Sequence, residues 1–439
     1  MLSDKIPSKK KMTLIENDEV VAEEKEIAEI MNNHFVDAVE NLEREPFPLL
    51  EDSHESSEDI DDIDRIINKY RMHPSVVMIK DKVKVDKKFS FREATTDEIY
   101  SHIKRLDPKT ATVKDDISIK HMLGCNDIIS PLLTNMINKM YSSSVYPADL
   151  KKADVTPIHK SQATTNKKHY RPVSLNILLS KIYERNMHGQ ILFFFEKLFS
   201  SYLFGYRKGY KTQDLMLSMI EMWRKAIDEN KFAGAILTDL SKAFDCLSHD
   251  LLIAKLEAYG FDKSALKLIY DYLRGRKQRT KVGGSYSSWR DLFYGVPQGS
   301  ILGPLLFNIF MNDLFFFIED GQIANYADDS TYHTIKESIM ELLKTLEKET
   351  YTVLNWFSFN EMKSNDEKCH LIVANESTSR YKSHNFIYLR NAFLEGEELV
   401  KLLGINVDEN LSFETYLNGV IKKGNQKLHA LMRISKSIF

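Results

Sequence analysis

The chain has 439 residues, of which 43% are hydrophobic, so it can bury a large core and form more than one subdomain. Three cysteines without a CxxC pair argue against a disulfide framework or a zinc module and favour a reducing compartment. The net charge of −3 conceals an acidic stretch at residues 15–65 and basic stretches at residues 151–211 and 265–290. Each stretch alone is typical of a solvated face, but the basic pair favours a nucleic-acid partner.

The sequence shows neither a membrane span nor a secretory signal. Its apolar runs are far shorter than the thickness of a bilayer requires, and residues 1–11 are polar and contain several lysines. We therefore expect no membrane partner, and we expect the protein to reside in the nucleus, the cytoplasm or both.

Residues 1–94 are predicted to form an N-terminal extension with an acidic linker. Residues 23–42 carry apolar side chains at helical spacing, whereas residues 45–64 combine two prolines with an acidic, Ser-rich run that is typical of a flexible linker. From residue 95 onward the pattern is that of a folded domain, and Thr96-Asp97 form the predicted cap of its first helix.

From residue 232 the predicted elements alternate between strands and helices. This order is typical of an α+β protein in which helices pack on one face of an antiparallel sheet. In chain order we predict a buried strand at 232–240, a helix capped by Ser248 and closed by Gly260, a helix beginning at Ser264, a hairpin of 278–282 with 285–290, a hairpin of 322–326 with 330–334, and an amphipathic helix over 339–354.

Two acidic motifs stand at the ends of predicted strands. Asp239 ends the buried strand, and Asp328 with Asp329 occupies the turn of the second hairpin. Nucleotidyl transfer needs one metal ion that activates the attacking 3′-hydroxyl and another that neutralises the triphosphate. Asp239 and Asp328 suit ligands shared by both ions, and Asp329 suits a supporting ligand. Because Asp-Asp pairs are common in tight turns, only the combination of motifs indicates a metal site.

A loop at residues 295–303, here called the PQG loop, lies between the two acidic motifs. Its glycines allow the backbone to approach a base pair or a sugar closely, and Gln298 offers an amide. Such a loop alone is most often a simple turn, but its place between the acidic motifs favours a contact with substrate. The three motifs in this order indicate a template-copying polymerase.

These motifs resemble those of the reverse transcriptases of non-LTR retrotransposons, of the LINE type and the jockey-like kind. The resemblance extends from about residue 95 to the C-terminus. It implies a right-hand polymerase fold, with residues 95–233 mainly in the fingers, 234–400 mainly in the palm, and 401–439 in the primer grip and the start of a truncated thumb. The further matching segments are residues 153–160, 170–175, 180–185, 204–209, 360–373 and 401–405.

The resemblance also implies roles for individual residues. Asp239, Asp328 and Asp329 would be the catalytic triad and would bind two Mg²⁺ ions, with Mn²⁺ as a substitute. The implied substrate contacts are Phe244, which would exclude a 2′-hydroxyl, Lys160 and Arg171, which would hold the triphosphate, and Gln298 and Gly299, which would lie under the templating pair. Taken singly, a residue such as Phe244 is more often part of the core, and cations such as Lys160 and Arg171 are more often solvated.

The predicted function is that of an RNA-directed DNA polymerase. It would extend a DNA primer on an RNA template with deoxynucleoside triphosphates, and the residues specify no protein partner. A viral-type RNA polymerase is disfavoured, because Phe244 and Ala327 stand where those enzymes usually carry an acid and a glycine. A group II intron maturase is disfavoured, because no maturase segment is recognisable.

The alternative from a different class is a truncated or co-opted relic that binds nucleic acid without synthesis. Val113 and Asp116 stand where the family pattern usually has glycines. No endonuclease domain is recognisable before residue 95, and the chain ends inside what resembles the first thumb helix. We therefore expect the chain to be a fragment of a longer polyprotein. A truncated thumb would hold a nucleic-acid duplex weakly, and this would favour a protein that binds nucleic acid without synthesis.

Overall fold

The structure is a computed structural model that describes residues 12–40, 61–108, 117–160, 162–240, 242–365, 368–374, 385–390 and 392–438. The predicted linker lies mostly outside these ranges, as do Val113 and Asp116. The chain divides into two compact units, Met1–Phe199 with Lys242–Met311 and Ser200–Ser241 with Asn312–Phe439. The predicted α+β class is confirmed, and the predicted domain boundaries stay a prediction. Among the described residues, no helix combines the length and the apolar character that crossing a membrane requires.

Strands and helices alternate along the described parts of the chain in both units. The strands are β1 (Leu14–Glu16), β2 (Glu19–Val21), β3 (Lys152–His159), β4 (Tyr170–Asn176), β5 (Phe232–Thr238), β6 (Arg276–Val282), β7 (Ser285–Tyr286), β8 (Arg290–Leu292), β9 (Gln322–Tyr326), β10 (Asp329–Lys336), β11 (His370–Ala374), β12 (Phe386–Leu389), β13 (Ala392–Glu395), β14 (Leu399–Leu402) and β15 (Ile405–Asp408). The helices are α1 (Glu24–Glu40), α2 (Asp62–Tyr70), α3 (Pro74–Lys82), α4 (Thr96–Lys104), α5 (Ile119–Gly124), α6 (Asn126–Ser143), α7 (Leu178–Phe195), α8 (Thr212–Asp228), α9 (His249–Ala258), α10 (Lys263–Leu273), α11 (Leu302–Met311), α12 (Ile339–Phe359) and α13 (Glu414–Ile438).

The first unit contains a sheet in the order β4-β3-β6-β7, with β8 also paired to β6. Helix α1 packs on this sheet. Within α1, Asn32 is fully buried, and its side-chain oxygen accepts hydrogen bonds from Gln278 and Thr280, each at 3.2 Å. The described part of the predicted extension therefore belongs to the core of this unit. The buried cluster that α1 forms with β1, β3 and β6 comprises Leu14, Ile27, Ala28, Met31, Phe35, Val155 and Val282.

The second unit contains an antiparallel sheet in the order β11-β5-β10-β9, with a helix on each face. Ala233 and Ala235 of β5 share a hydrophobic cluster with Trp223 of α8. Gly234 faces the other way, and a Cβ added there would lie 2.8 Å from a methyl carbon of Leu346 in α12. The prediction that helices cover a single face is therefore wrong, because β5 carries apolar residues on both of its faces.

Two helix starts differ from their predicted positions. The side chain of Thr95, not that of Thr96, caps α4, and it forms a capping box with Glu98. Helix α10 is capped by Asp262, whose carboxylate accepts the amide of Ala265 at 2.8 Å, so the predicted start at Ser264 is wrong. Helix α9 follows Ser248 as predicted, although the Ser248 side chain makes no capping hydrogen bond, and α12 begins at the predicted residue 339 but continues to Phe359.

Candidate active site

Asp239 and Asp329 lie at the same end of two neighbouring strands of the second unit. β5 and β10 are antiparallel, and their last pair is Thr238 opposite Ser330, so Asp239 directly follows β5 where Asp329 begins β10. The Thr238 hydroxyl donates a hydrogen bond of 3.0 Å to the carbonyl oxygen of Ser330 and ties the strands together at this point. The two carboxylates therefore arise at the same edge of the sheet.

Asp328 occupies the exposed tip of the turn between β9 and β10. Its predecessor Ala327 has a φ of 61°, in the left-handed region that favours glycine. Asn325 is fully buried, and its Nδ2 donates to the carbonyl oxygen of Ala327 at 3.1 Å and to the hydroxyl of Ser330 at 2.8 Å. Because this amide bridges both sides of the turn, it fixes the backbone that carries Asp328.

A neighbouring segment braces the same turn. The amide of Phe204 donates to the carbonyl oxygen of Asn325 at 2.9 Å, and the amide of Asn325 donates to that of Tyr202 at 3.0 Å. Gly205 follows, and a Cβ added there would overlap the backbone nitrogen of Ala327 and lie 3.0 Å from its Cα. The glycine of this motif is therefore required by the close approach of two backbone segments.

The three aspartates are close enough to repel one another. Partial burial raises the pKa of the Asp329 carboxyl, and the charges of Asp328 and Asp239 raise it further. Burial, with a contribution from Asp328, also raises the pKa of Tyr206 to about 12. The Lys368 ammonium, 3.2 Å from Asp239 Oδ2, offsets part of this negative charge. Such a concentration of carboxylates suits a divalent cation.

A cavity of about 330 Å³ lies beside these carboxylates and is lined by Asp239, Asp329 and Lys368 among other residues. Within the described part of the chain, no group of three or more His, Cys, Asp or Glu side chains is arranged to hold a metal ion by itself. Mg²⁺ binds few protein carboxylates and completes its coordination with water and phosphate oxygens. Asp239 and Asp329 would therefore supply only part of the coordination of such an ion.

Lys160 and Arg171 lie at the exposed end of the β3–β4 hairpin in the first unit. Arg171 is paired with Ile158, and Lys160 lies two residues beyond Ile158. The amide of Lys160 donates to the carbonyl oxygen of His169 at 2.8 Å and continues the ladder. Because side chains alternate along a strand, both cations arise from the same face of the hairpin.

Phe244 also belongs to the first unit, although it follows Asp239 by only five residues. Its half-buried ring stacks on Phe307 of α11, with ring centroids 4.4 Å apart and an interplanar angle of 21°. Its carbonyl oxygen accepts a hydrogen bond of 3.0 Å from the amide of Val296. Helix α11 and the PQG loop therefore fix the position of this ring.

The PQG loop is attached on two sides. Gly295 has a φ of 76°, and a Cβ added there would lie 2.6 Å from the carbonyl oxygen of Asp245. The carbonyl oxygen of Gln298 accepts the amide of Ser174 in β4 at 2.9 Å. The side-chain Nε2 of Gln298 donates to both carboxylate oxygens of Asp245, at 2.8 and 2.9 Å. Burial raises the pKa of Asp245, while Gln298 and Lys242 act in the opposite direction.

Glu184 holds the other end of the PQG loop. This fully buried carboxylate accepts the amides of Ile301 at 2.6 Å and Leu302 at 3.3 Å through Oε2. Its Oε1 accepts the hydroxyl of Ser180 at 2.9 Å. The negative charge therefore lies at the N-terminus of α11, where amides lack partners within the helix and the helix dipole favours an anion.

Sequence reasoning missed the contributions of Glu184, Asp245 and Asn325. Each of these residues makes contacts that no local pattern reveals. Glu184, for example, is 117 residues from Ile301 in the sequence. The sequence signal that could have identified them is a carboxylate or an amide beside strongly apolar neighbours. Such a group is expected to be buried, and a buried polar group needs hydrogen-bond partners.

The chain belongs to the reverse transcriptase (RNA-dependent DNA polymerase) family, whose model matches residues 151–407. Enzymes of this family generally use divalent metal ions and act on a nucleic-acid template with nucleotide substrates. The predicted resemblance to jockey-like reverse transcriptases of non-LTR retrotransposons is confirmed.

Three relatives illustrate this similarity. The chain is 27% identical to a probable RNA-directed DNA polymerase from transposon BS of Drosophila melanogaster, over 76% of this chain and 38% of that protein. It is 26% identical to an RNA-directed DNA polymerase from mobile element jockey of Drosophila melanogaster, over 74% and 36%. It is 25% identical to a retrovirus-related Pol polyprotein from type-1 retrotransposable element R2 of Popillia japonica, over 44% and 32%. The chain thus spans little more than a third of the first two relatives.

Proposed function

We propose that this chain is an RNA-directed DNA polymerase that extends the 3′ end of a DNA primer on an RNA template. The observation that carries the proposal is the strand register that places Asp239 and Asp329 at the same end of β5 and β10, with Asp328 at the tip of the adjoining turn. The family match supports the activity, and the antiparallel sheet with its helices supports a right-hand polymerase fold in which this sheet belongs to the palm.

Asp239, Asp328 and Asp329 would hold two Mg²⁺ ions, for which Mn²⁺ is a substitute. When bound, such ions lower the pKa of a primer 3′-hydroxyl and neutralise charge on the triphosphate. The chain's own residues supply a rigid frame for these ligands. Asn325 and Gly205 fix the turn that carries Asp328, so the carboxylates need little rearrangement when substrate binds.

The other predicted site residues would act on the nucleotide. Lys160 and Arg171, which share one exposed face of a hairpin, would bind the triphosphate, and Arg171 suits bidentate contact with phosphate oxygens. Phe244 would exclude a 2′-hydroxyl, because its ring is held by stacking on Phe307. Gln298 and Gly299 would contact the templating pair.

The test is primer extension on poly(rA)/oligo(dT) with Mg²⁺ and dTTP, in which wild type is compared with Asp328→Asn and Asp228→Asn. Asp228 is an exposed aspartate at the end of α8 and serves as the control. We expect extension by wild type and by Asp228→Asn, and a loss of about a thousandfold in Asp328→Asn, because the aspartate acts on charge that develops in the transition state.

A folded wild-type chain that binds the hybrid without extending it would contradict the proposal and favour a non-catalytic nucleic-acid-binding protein. Equal activity of Asp328→Asn and wild type would show that the turn is not the metal site.

A further inference from the structure

One carboxylate in the first unit has no role in the proposed reaction, although it contacts a residue that does. Asp245 receives the side-chain amide of Gln298 on both of its oxygens, at 2.8 and 2.9 Å. The backbone of Asp245 also lies under Gly295, where an added Cβ would come within 2.7 Å of its Cα. Asp245 therefore contacts the PQG loop through both its side chain and its backbone.

The chemistry of this contact determines which end of the Gln298 amide faces outward. The NH₂ group of Gln298 is the end that donates to both oxygens of Asp245, and carboxylate oxygens are acceptors for such bonds. The carbonyl oxygen of the amide, Oε1, is then the free end, and among the described residues it accepts no hydrogen bond. The loop consequently presents an acceptor to a ligand, not a donor.

The backbone of Gln298 is held separately. Its carbonyl oxygen is bonded to Ser174, and the following residues are bonded to Glu184. Removal of the Asp245 carboxylate would therefore leave the loop in place and free only the rotation of the amide. Asp245 therefore orients the side chain of Gln298, whereas Ser174 and Glu184 support the loop as a whole.

We infer that Asp245 is a positioning residue that holds the Gln298 amide with Oε1 toward a hydrogen-bond donor of the incoming nucleotide. The inference rests on the proposed polymerase function, because the inference requires that Gln298 contact the incoming nucleotide. It predicts that Asp245 affects nucleotide affinity only through Gln298.

The test uses Asp245→Asn in the full chain. Asparagine has the same size and can pair with glutamine in either orientation, so packing and one hydrogen bond persist while the orientation is no longer imposed. On poly(rA)/oligo(dT) we expect the KM for dTTP to rise about tenfold with kcat within about twofold of wild type. Gln298→Ala should raise KM similarly, and Asp245→Asn should add nothing in the Gln298→Ala background. Asp291→Asn, an aspartate of β8 that pairs with Lys277, is the control.

The same double-mutant cycle is measured as equilibrium binding of dTTP to the hybrid with a chain-terminated primer, which requires no turnover. A wild-type chain that binds dTTP without extending primer would contradict the proposed function and still test the inference. Additive effects of the two substitutions, or an Asp245→Asn variant whose KM matches wild type, would overturn the inference. A fall in melting temperature with parallel losses in kcat and KM would show support of the loop instead. A wild-type chain that does not bind dTTP overturns both.

Discussion

Gly205 and Ala327 approach each other so closely that a Cβ on Gly205 would overlap the backbone nitrogen of Ala327. The turn that carries Asp328 is thus positioned by a segment more than a hundred residues earlier in the sequence. Two strand-edge hydrogen bonds, from Phe204 and to Tyr202, hold that segment in register with β9.

Gly205→Ala should therefore displace the Asp328 turn. Because backbone atoms cannot yield as a flexible side chain can, we expect the free energy of unfolding to fall by about 1–3 kcal/mol. We also expect primer extension to fall by about tenfold or more, since catalysis is sensitive to small displacements of its ligands. The measurements are urea unfolding and primer extension.

Gly189→Ala is the control for that substitution. Gly189 lies within α7, and an added Cβ would meet nothing within 4 Å. Alanine is the better helix former, so this variant should be as stable as wild type or slightly more stable. Equal losses in the two variants would show that the contact with Ala327 is unimportant.

Phe244→Ala should relax the choice of sugar. Removal of the ring opens the space that a 2′-hydroxyl would occupy, and we expect the ratio of kcat/KM for UTP to that for dTTP to rise by about 10- to 200-fold. The measurement is extension of oligo(dT) on poly(rA) with each nucleotide in turn. Phe293→Ala removes a ring that is 66% exposed and should leave the ratio unchanged. An unchanged ratio in Phe244→Ala would exclude the ring as the sugar gate.

Asp329→Asn should raise the stability of the metal-free chain and weaken its stabilisation by Mg²⁺. The pKa of Asp329 is raised in the folded chain, so its ionised form is disfavoured there and a neutral amide relieves the repulsion. Without Mg²⁺ we expect unfolding to require about 0.5 kcal/mol more than in wild type, a small value because the group is exposed. The rise in melting temperature on addition of Mg²⁺ should be smaller than in wild type. A larger or unchanged response would argue against Asp329 as a ligand.

Stability should fall on acidification through His249. Burial lowers the pKa of this histidine to about 4, and its Nε2 lies 2.7 Å from the carbonyl oxygen of Gly295. Since the unfolded chain has the higher pKa, the stabilisation is fully present above pH about 6.5 and is lost as the pH falls toward 4, by at most about 3 kcal/mol. His249→Gln keeps a donor without a titrating ring. Its unfolding free energy, followed by urea denaturation, should depend on pH less steeply than that of wild type.

Some of the site could be predicted from sequence because its determinants are local. A buried apolar run predicts β5, and the hairpin around Asp328 follows from alternating side chains with acidic turn residues. The register that places Asp239 and Asp329 at the same end of the sheet could not be predicted, because cross-strand pairing depends on how the strands assemble. The same limit applies to Glu184, whose partners lie in α11.

The helix caps and the packing of the sheet were also predictable only in part. A helix after residue 260 was predicted correctly, but its start was placed at Ser264, whereas Asp262, which is also a good N-cap residue, caps it. The second helical face of the sheet was missed because alanine and glycine in β5 give weak hydrophobic signals, although Gly234 is small to admit Leu346.

The packing of α1 on the first sheet has a consequence for recombinant expression. The family match begins at residue 151, yet Val155 and Val282 are covered by side chains from residues 14–35. A polypeptide trimmed to the matched residues would expose these side chains to water, together with polar groups of β6 that now bond to Asn32. Such a trimmed product should aggregate on purification. The shared catalytic segment and the smallest piece able to fold are therefore different lengths of polypeptide.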